Sequence, residues 1–261
     1  MSTLIFRGTG DSQGVPRIYC ECEVCMEARG TGENLRLRPS LQWQDADAGT
    51  TWIDCGPDFG RQMEAAHLRD IDRMLITHAH YDHIGGLPEW YDVCRWTGKT
   101  GAAHAPTEVI EEILQRFPWI ASRIEFKPFD APMMIGAWKA SSWRVNHGKN
   151  GYAYAFSFQH AHTGYRWIYC PDAIELTEEQ QKPMARADLI ILGTSFFREP
   201  YPMETRSVYD VEEAIGLARK WKPGRTILTH MSHDIDVARG DELPAGMAFA
   251  HTGMQIEVTR S

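Results

Sequence analysis

Four metal-ligand side chains crowd into six consecutive positions at the end of an apolar strand, and no other feature restricts the fold of this chain so tightly. Met74-Leu75-Ile76-Thr77 reads as the strand, and His78, His80, Asp82 and His83 follow at once. Imidazole nitrogen and carboxylate oxygen are the donors that zinc, manganese and iron accept, and a loop at a strand's C-terminal end can turn them all toward one point. His78 and His80 can serve one cation while Asp82 and His83, diverging from them, serve a neighbour, so two divalent metals are expected. Gly85-Gly86 then permits a close turn into the next helix. A solvated polar loop would account for one histidine but not for this run.

At 261 residues the chain is long enough to build a sizeable core, and 43% hydrophobic with 24% charged residues is ordinary for a soluble globular protein. No window approaches the roughly 18 apolar residues of a membrane span, so no membrane partner is expected. Met1–Arg7 is followed by Gly8 and Gly10; it lacks the basic-then-apolar stretch of a signal peptide and reads as a first strand, which places the chain in the cytoplasm. The formal charge of -8 and the absence of a basic run argue against a nucleic-acid partner. A small anionic substrate stays compatible, because metals can supply positive charge; a homodimer is compatible as well.

Short β-branched and aromatic runs predict strands at Leu4–Phe6, Leu41–Trp43, Thr51–Ile53, Met74–Thr77, Trp138–Val145, Tyr152–Phe158, Arg166–Cys170, Leu189–Leu192, Thr226–Thr229 and Met254–Val258. Helical spacing appears at Phe59–His67, Leu87–Arg95, Thr107–Phe117, Thr177–Met184 and Val211–Trp221, with Thr107 and Asp210 as expected caps. Strand runs followed by helices occur on both sides of about residue 130, with no linker or repeat between them. The expectation is one α/β domain over residues 1–261, containing two sheets faced by helices: a four-layer αββα sandwich.

The run His78-Ala-His80-Tyr-Asp82-His83 resembles, residue for residue, the hallmark loop of the metallo-β-lactamase superfamily. That resemblance implies the αββα sandwich and further ligands at later strand ends, for which His147, Asp172 and His230 are the candidates. It implies that His78, His80 and His147 hold one metal and Asp82, His83 and His230 the other, with Asp172 bridging; Asp82 and Asp172 are then the catalytic carboxylates. Asp54, ending the Trp52-Ile53 strand, resembles the family's buried aspartate that orients a metal histidine.

Cys20, Cys22 and Cys25 form a second cluster, too close for convenient mutual disulfides and suited to wrapping a tetrahedral structural zinc. His233, three residues beyond His230, is the candidate fourth ligand. Cys55, Cys94 and Cys170 read as buried apolar residues. Together with Gly8–Pro16, Ile53–Asp58 and Thr229–Asp234, this loop narrows the resemblance to the phosphoribosyl cyclic phosphate phosphodiesterase (PhnP-like) group. The resemblance implies hydrolysis of a small, cyclic or nucleotide-like phosphodiester by a hydroxide activated on two metals, zinc, manganese or iron. An ester, lactone or thioester hydrolase, or a non-catalytic metal-binding biosynthesis factor, is the alternative. Group members carry a leaving-group histidine ahead of the last ligand strand, where this chain has Glu204–Asp210 with Val208 nearest the position. Arg206, Tyr209 and His251, and also His104, are candidates for the substrate rim, whereas His160 and His162 read as a hairpin tip.

Overall fold

The computed structural model describes residues 2–258; Met1 and residues 259–261 of the expected domain lie outside the described residues. The first sheet contains β1 (Ser2–Gly8), β2 (Ser40–Asp45), β3 (Gly49–Ile53), β4 (Arg73–Leu75), β5 (Gly101–Ala105) and β6 (Ile124–Pro128). The second contains β7 (Met133–Ile135), β8 (Trp138–Asn146), β9 (Tyr152–His160), β10 (Arg166–Cys170), β11 (Leu189–Gly193), β12 (Arg225–Thr229) and β13 (Met247–Phe249), and β14 (Gln255–Glu257) returns to the first. The orders are β14-β1-β2-β3-β4-β5-β6 and β13-β12-β11-β10-β9-β8-β7. Each sheet joins an antiparallel half to a parallel half, the latter being β3 to β6 in one and β10 to β13 in the other.

Strand side chains alternate with period two, and both faces are buried. Ile53 and Leu75 face the second sheet and share a core with its Trp167, Tyr169, Leu189, Ile191 and Ile227. Their neighbours Trp52 and Met74 turn outward to the helices α2 (Phe59–Ala65), α4 (Leu87–Thr97) and α5 (Thr107–Arg116). Ile168, Ile190 and Leu228 turn to the opposite outer layer, against α7 (Val211–Trp221). The αββα sandwich expected from the sequence is therefore the observed fold. Between the sheets Trp43 meets Trp138, Phe158 and Trp167 edge-on at centroid distances of 5.7, 5.1 and 5.5 Å, and Phe158 stacks on Trp167 at 4.0 Å. The indole N–H of Trp43 donates to Ser2 Oγ and that of Trp138 to Asp45, so these rings enter the core with those polar atoms paired.

The expected strands all form, within a few residues at their ends, and Val211–Trp221 is helical as expected behind an Asp210–Glu213 capping box. Thr107 differs: it is the first helical residue rather than the cap, and its backbone N–H is taken by the Asp130 carboxylate. The expected Thr177–Met184 helix is α6 (Glu178–Gln181) followed by a 3-10 turn, because Pro183 cannot continue the α ladder. No run or spacing in the sequence marks α1 (Glu23–Gly30), the single turn α3 (Tyr81–Ile84) or β5, β6, β7 and β13. Cys55, Cys94 and Cys170 are buried apolar side chains. Among the described residues no helix is long and apolar enough to cross a membrane.

Trp43→Ala, which removes the ring shared by three aromatic partners, is expected to destabilise the fold by about 3–5 kcal/mol. Equilibrium urea unfolding would show this as a lower midpoint with an unchanged slope.

Candidate metal centre

The histidine loop leaves β4 and closes at once into α3, where His80 O accepts the N–H groups of His83 and Ile84. Gly86 lets the chain pass close to the turn after β3, where a Cβ would stand 2.4 Å from Gly56 O. Other strand ends meet this loop from across the sandwich: His147 after β8, Asp172 after β10 and His230 after β12. This is the place where open α/β sheets put their ligands, outside the carboxyl ends of the strands. Asp54, after β3, and His230 both have left-handed backbones, with φ of 63° and 57°. Such conformations cost about 1–3 kcal/mol in a non-glycine residue, and here the packed loops hold them.

The ligand atoms of His78, His80 and His147 lie within 4.8 Å of one another, as do those of Asp82, His83 and His230, and those of His78, His83 and Asp172. Hydrogen bonds on the outer sides of the rings fix which nitrogen faces inward. His83 Nδ1 donates to Asp54 Oδ2 at 2.8 Å, His147 Nδ1 donates to the Ser207 carbonyl at 2.7 Å, and His78 Nδ1 lies 3.0 Å from Thr77 Oγ1. Thr77 in turn donates its N–H and its hydroxyl to Asp54. The inward nitrogens then face one another and the carboxylates: His78 Nε2 is 2.9 Å and His147 Nε2 3.3 Å from His80 Nδ1. His83 Nε2 lies 3.0 Å from Asp172 Oδ2 and 3.2 Å from Asp82 Oδ2. Yet His83 Nε2 and Asp172 Oδ2 are both buried without an aligned hydrogen bond, and so is His230 Nδ1.

His83 Nε2 and the Asp172 oxygen, pointed at each other, favour a cation between them, a proton or a metal, and the proton equilibria show the same preference. Burial alone would lower the His83 pKa, but Asp82, Asp54 and Asp172 raise it well above the usual histidine range. His230 is likewise pushed up to about 8 by Asp172 and Asp82 against the effect of burial. Burial would raise Asp172 and Asp82, but the surrounding imidazoles hold both well below the usual carboxylate range. Burial and neighbouring imidazoles lower His78, His80 and His147 instead. One half of the centre therefore offers neutral nitrogen donors and the other is anionic; the donor set fits two divalent metals.

The cysteine loop lies beside this centre. The ligand atoms of Cys20, Cys22, Cys25 and His233 also fall within 4.8 Å of one another, with His233 Nδ1 3.3 Å from Cys25 Sγ and 3.5 Å from Cys22 Sγ. An isolated β-bridge between Gly10 and Met231 ties the two segments together. Arg17 reaches His233 Nε2 at 3.0 Å and donates to Asp11 at 2.7 Å.

A cavity of about 670 Å³ opens above the metal-ligand cluster, with Arg17, Lys149, Glu199 and Val208 in its wall. The expected rim is corrected here. Arg206 is buried in an ion-pair cluster, and Tyr209 is buried in the core with its hydroxyl accepting the Leu176 N–H. His251 lines a different cavity, beside Phe249 and Thr252. His104 lies on β5, with its backbone carbonyl accepting the Ile76 N–H, and is not in the wall. His160 ends β9 at a hairpin, as expected. The sequence reading passed over Arg17, Lys149 and Glu199; Lys149, two residues after His147, carried the only local signal.

A family profile described as a beta-lactamase superfamily domain matches residues 50–231. The chain is 26% identical over 243 residues to an octanoyltransferase of Porphyromonas gingivalis, a match covering 88% of this chain but only 46% of that protein. It is 29% identical over 104 residues to a ribonuclease Z of the same organism, covering 36% of this chain and 33% of that one. Among solved structures, a diphosphatase from the PhnP family superposes with a TM-score of 0.86 at 27% identity, covering 98% of both chains. The chain belongs to the metallo-β-lactamase superfamily and is a PhnP-like protein within it.

Proposed function

We propose that this chain is a metal-dependent hydrolase of small phosphodiesters. The observation that carries the reading is the convergence of buried, mutually facing acceptors at the floor of an open cavity. His78, His80 and His147 would hold one divalent cation and Asp82, His83 and His230 the other, with Asp172 available to both groups. Bound there, the cations lower the pKa of water toward neutrality and offset charge developing at phosphorus. Asp54 aims His83 directly and steadies His78 through Thr77. Asp172 orients the attacking water, and Arg17 and Lys149 receive anionic oxygens of the substrate. Zinc, manganese and iron all suit this donor set.

Cys20, Cys22, Cys25 and His233 hold a structural zinc that fixes the loop carrying Arg17; such a thiolate site suits the reducing cytoplasm, where we place the activity. The similarity to a diphosphatase and a ribonuclease Z favours phosphorus over carbon as the electrophile. The partial similarity to an octanoyltransferase makes acyl esters and thioesters the comparison substrates.

Purified protein loaded with zinc or manganese should hydrolyse bis(4-nitrophenyl) phosphate. His80→Ala should abolish turnover, and Asp54→Asn should cost about 10–100-fold in metal affinity or activity; turnover of acyl esters with none of the phosphodiester would overturn the reading. Metal analysis should find three equivalents per chain, and His233→Ala should reduce this to two while lowering the melting temperature. His230 holds its proton up to pH about 8, and a metal must displace it. Affinity at the Asp82–His83–His230 position should therefore weaken as pH falls below that value, while the three-histidine position changes less; calorimetric titration in buffers of different ionisation enthalpy measures the protons released.

A further inference from the structure

A charge imbalance adjoins the cavity wall at Glu199. Arg206 meets three carboxylates: Glu213 through both terminal nitrogens at 3.0 and 2.6 Å, Asp210 at 3.5 Å, and Glu199 through Nε at 3.1 Å. One guanidinium therefore faces three carboxyl groups. The side chains of Arg206, Asp210 and Glu199 are only 6%, 6% and 9% exposed. Glu213 is 29% exposed, but the other members are poorly solvated, and two uncompensated negative charges there favour retention of a proton on one carboxyl group.

The hydrogen bonds decide where that proton sits. Asp210 accepts the backbone N–H groups of Glu213 and Glu199, and Glu213 accepts the Arg206 fork and the Asp210 N–H. Both carboxyl groups therefore accept from backbone or guanidinium donors through each of their oxygens. The Glu199 carboxyl receives no aligned hydrogen bond from a described residue, because Arg206 Nε lies near it without pointing at it. Glu199 is also the only member of the cluster in the wall of the cavity that holds His80, Asp82, His147, Asp172 and His230. Burial raises its pKa, Asp210 and Glu213 add to the rise, and Arg206 opposes it.

The remaining ionisable wall residues have other attachments or settings. Asp11 accepts the Gln13 and Gly14 N–H groups and an Arg17 N–H. Tyr201 is 58% exposed, and Lys149 is a cation suited to holding an anion. Val208, also in the wall, is apolar and cannot donate a proton.

We infer that Glu199 is the general acid of this hydrolase, its proton kept in place by the crowding of Glu199, Asp210 and Glu213 around Arg206. The assignment rests on the phosphodiesterase reading. One water is consumed: its oxygen bonds to phosphorus and one of its protons leaves to solvent. The phosphorus–oxygen bond to the leaving group breaks, the departing oxygen takes the Glu199 proton, and solvent reprotonates Glu199. The products are a phosphomonoester and an alcohol. Holding the acid on a separate loop from the metal ligands would suit alkoxide leaving groups, which depart poorly without a proton.

The test uses methyl aryl phosphodiesters whose leaving groups run from 4-nitrophenol to phenol, with metal-loaded wild type, Glu199→Gln and Glu199→Asp. The Gln variant should lose progressively more as the leaving group worsens, reaching about 100-fold or more for phenol; the Asp variant should recover part of that loss. Wild-type kcat on the phenyl ester should fall as pH rises through the Glu199 pKa, and this limb should vanish in the Gln variant. A loss of the same factor across the series marks a structural role and overturns the assignment, as does an undiminished rate on the phenyl ester. A wild-type enzyme inert on the whole series but active on acyl esters overturns the phosphodiesterase reading and this assignment with it; an active wild type with an indifferent Gln variant overturns this assignment alone.

Discussion

The Asp54 carboxylate is the interaction on which the centre depends. It is wholly buried, its backbone is held in the left-handed region, and it gathers the N–H and hydroxyl of Thr77 and the Nδ1–H of His83. A buried carboxylate with three donors is well satisfied, and satisfying it fixes two imidazoles in orientation and tautomer together. His78 is reached through the Thr77 hydroxyl and His83 directly, so one group sets a ligand in each half of the centre. The strain at its backbone is the cost of holding a loop in a single arrangement.

Electrostatics then divides the centre. Three imidazoles with lowered proton affinity form one side, while carboxylates crowd the other, where His83 and His230 keep their protons more strongly. The two positions are chemically unequal although both are built from the same residue types. A similar imbalance recurs at a distance, where three carboxyl groups share Arg206. In both places buried negative charge gathers around groups that can carry a compensating cation, the Arg206 guanidinium in one and the imidazoles of His83 and His230 in the other.

The sandwich was legible in the sequence because fully buried strands rich in Val, Ile, Leu and aromatics keep their signal, and Arg166–Cys170 and Val211–Trp221 form at their expected limits. β5 was not legible: Gly101-Ala-Ala-His-Ala105 has little strand propensity and is held extended by parallel pairing with β4 and β6. The metal-ligand cluster could be read because its residue types are rare at that density and its members follow strand ends. The cavity wall could not. Arg206 and Tyr209 looked like rim residues by proximity in sequence, but Arg206 turns into its carboxylate cluster and Tyr209 into the core. Glu199 lies in an irregular loop with no periodicity, and only the fold brings it into the cavity wall with His80, His147 and His230.

The close passage at Gly148 ties these parts together. Its φ is 55°, and a Cβ there would stand 2.2 Å from the Arg206 carbonyl, which also accepts the Lys149 N–H. The segment bearing His147 is thus pressed directly onto the backbone of the residue that organises the three carboxylates. His147 and the Arg206–Glu199 pair share one mechanical joint, so a side chain larger than hydrogen at position 148 would displace both in a single movement. The cavity floor at His147 and the wall at Glu199 are therefore set against each other by one backbone contact.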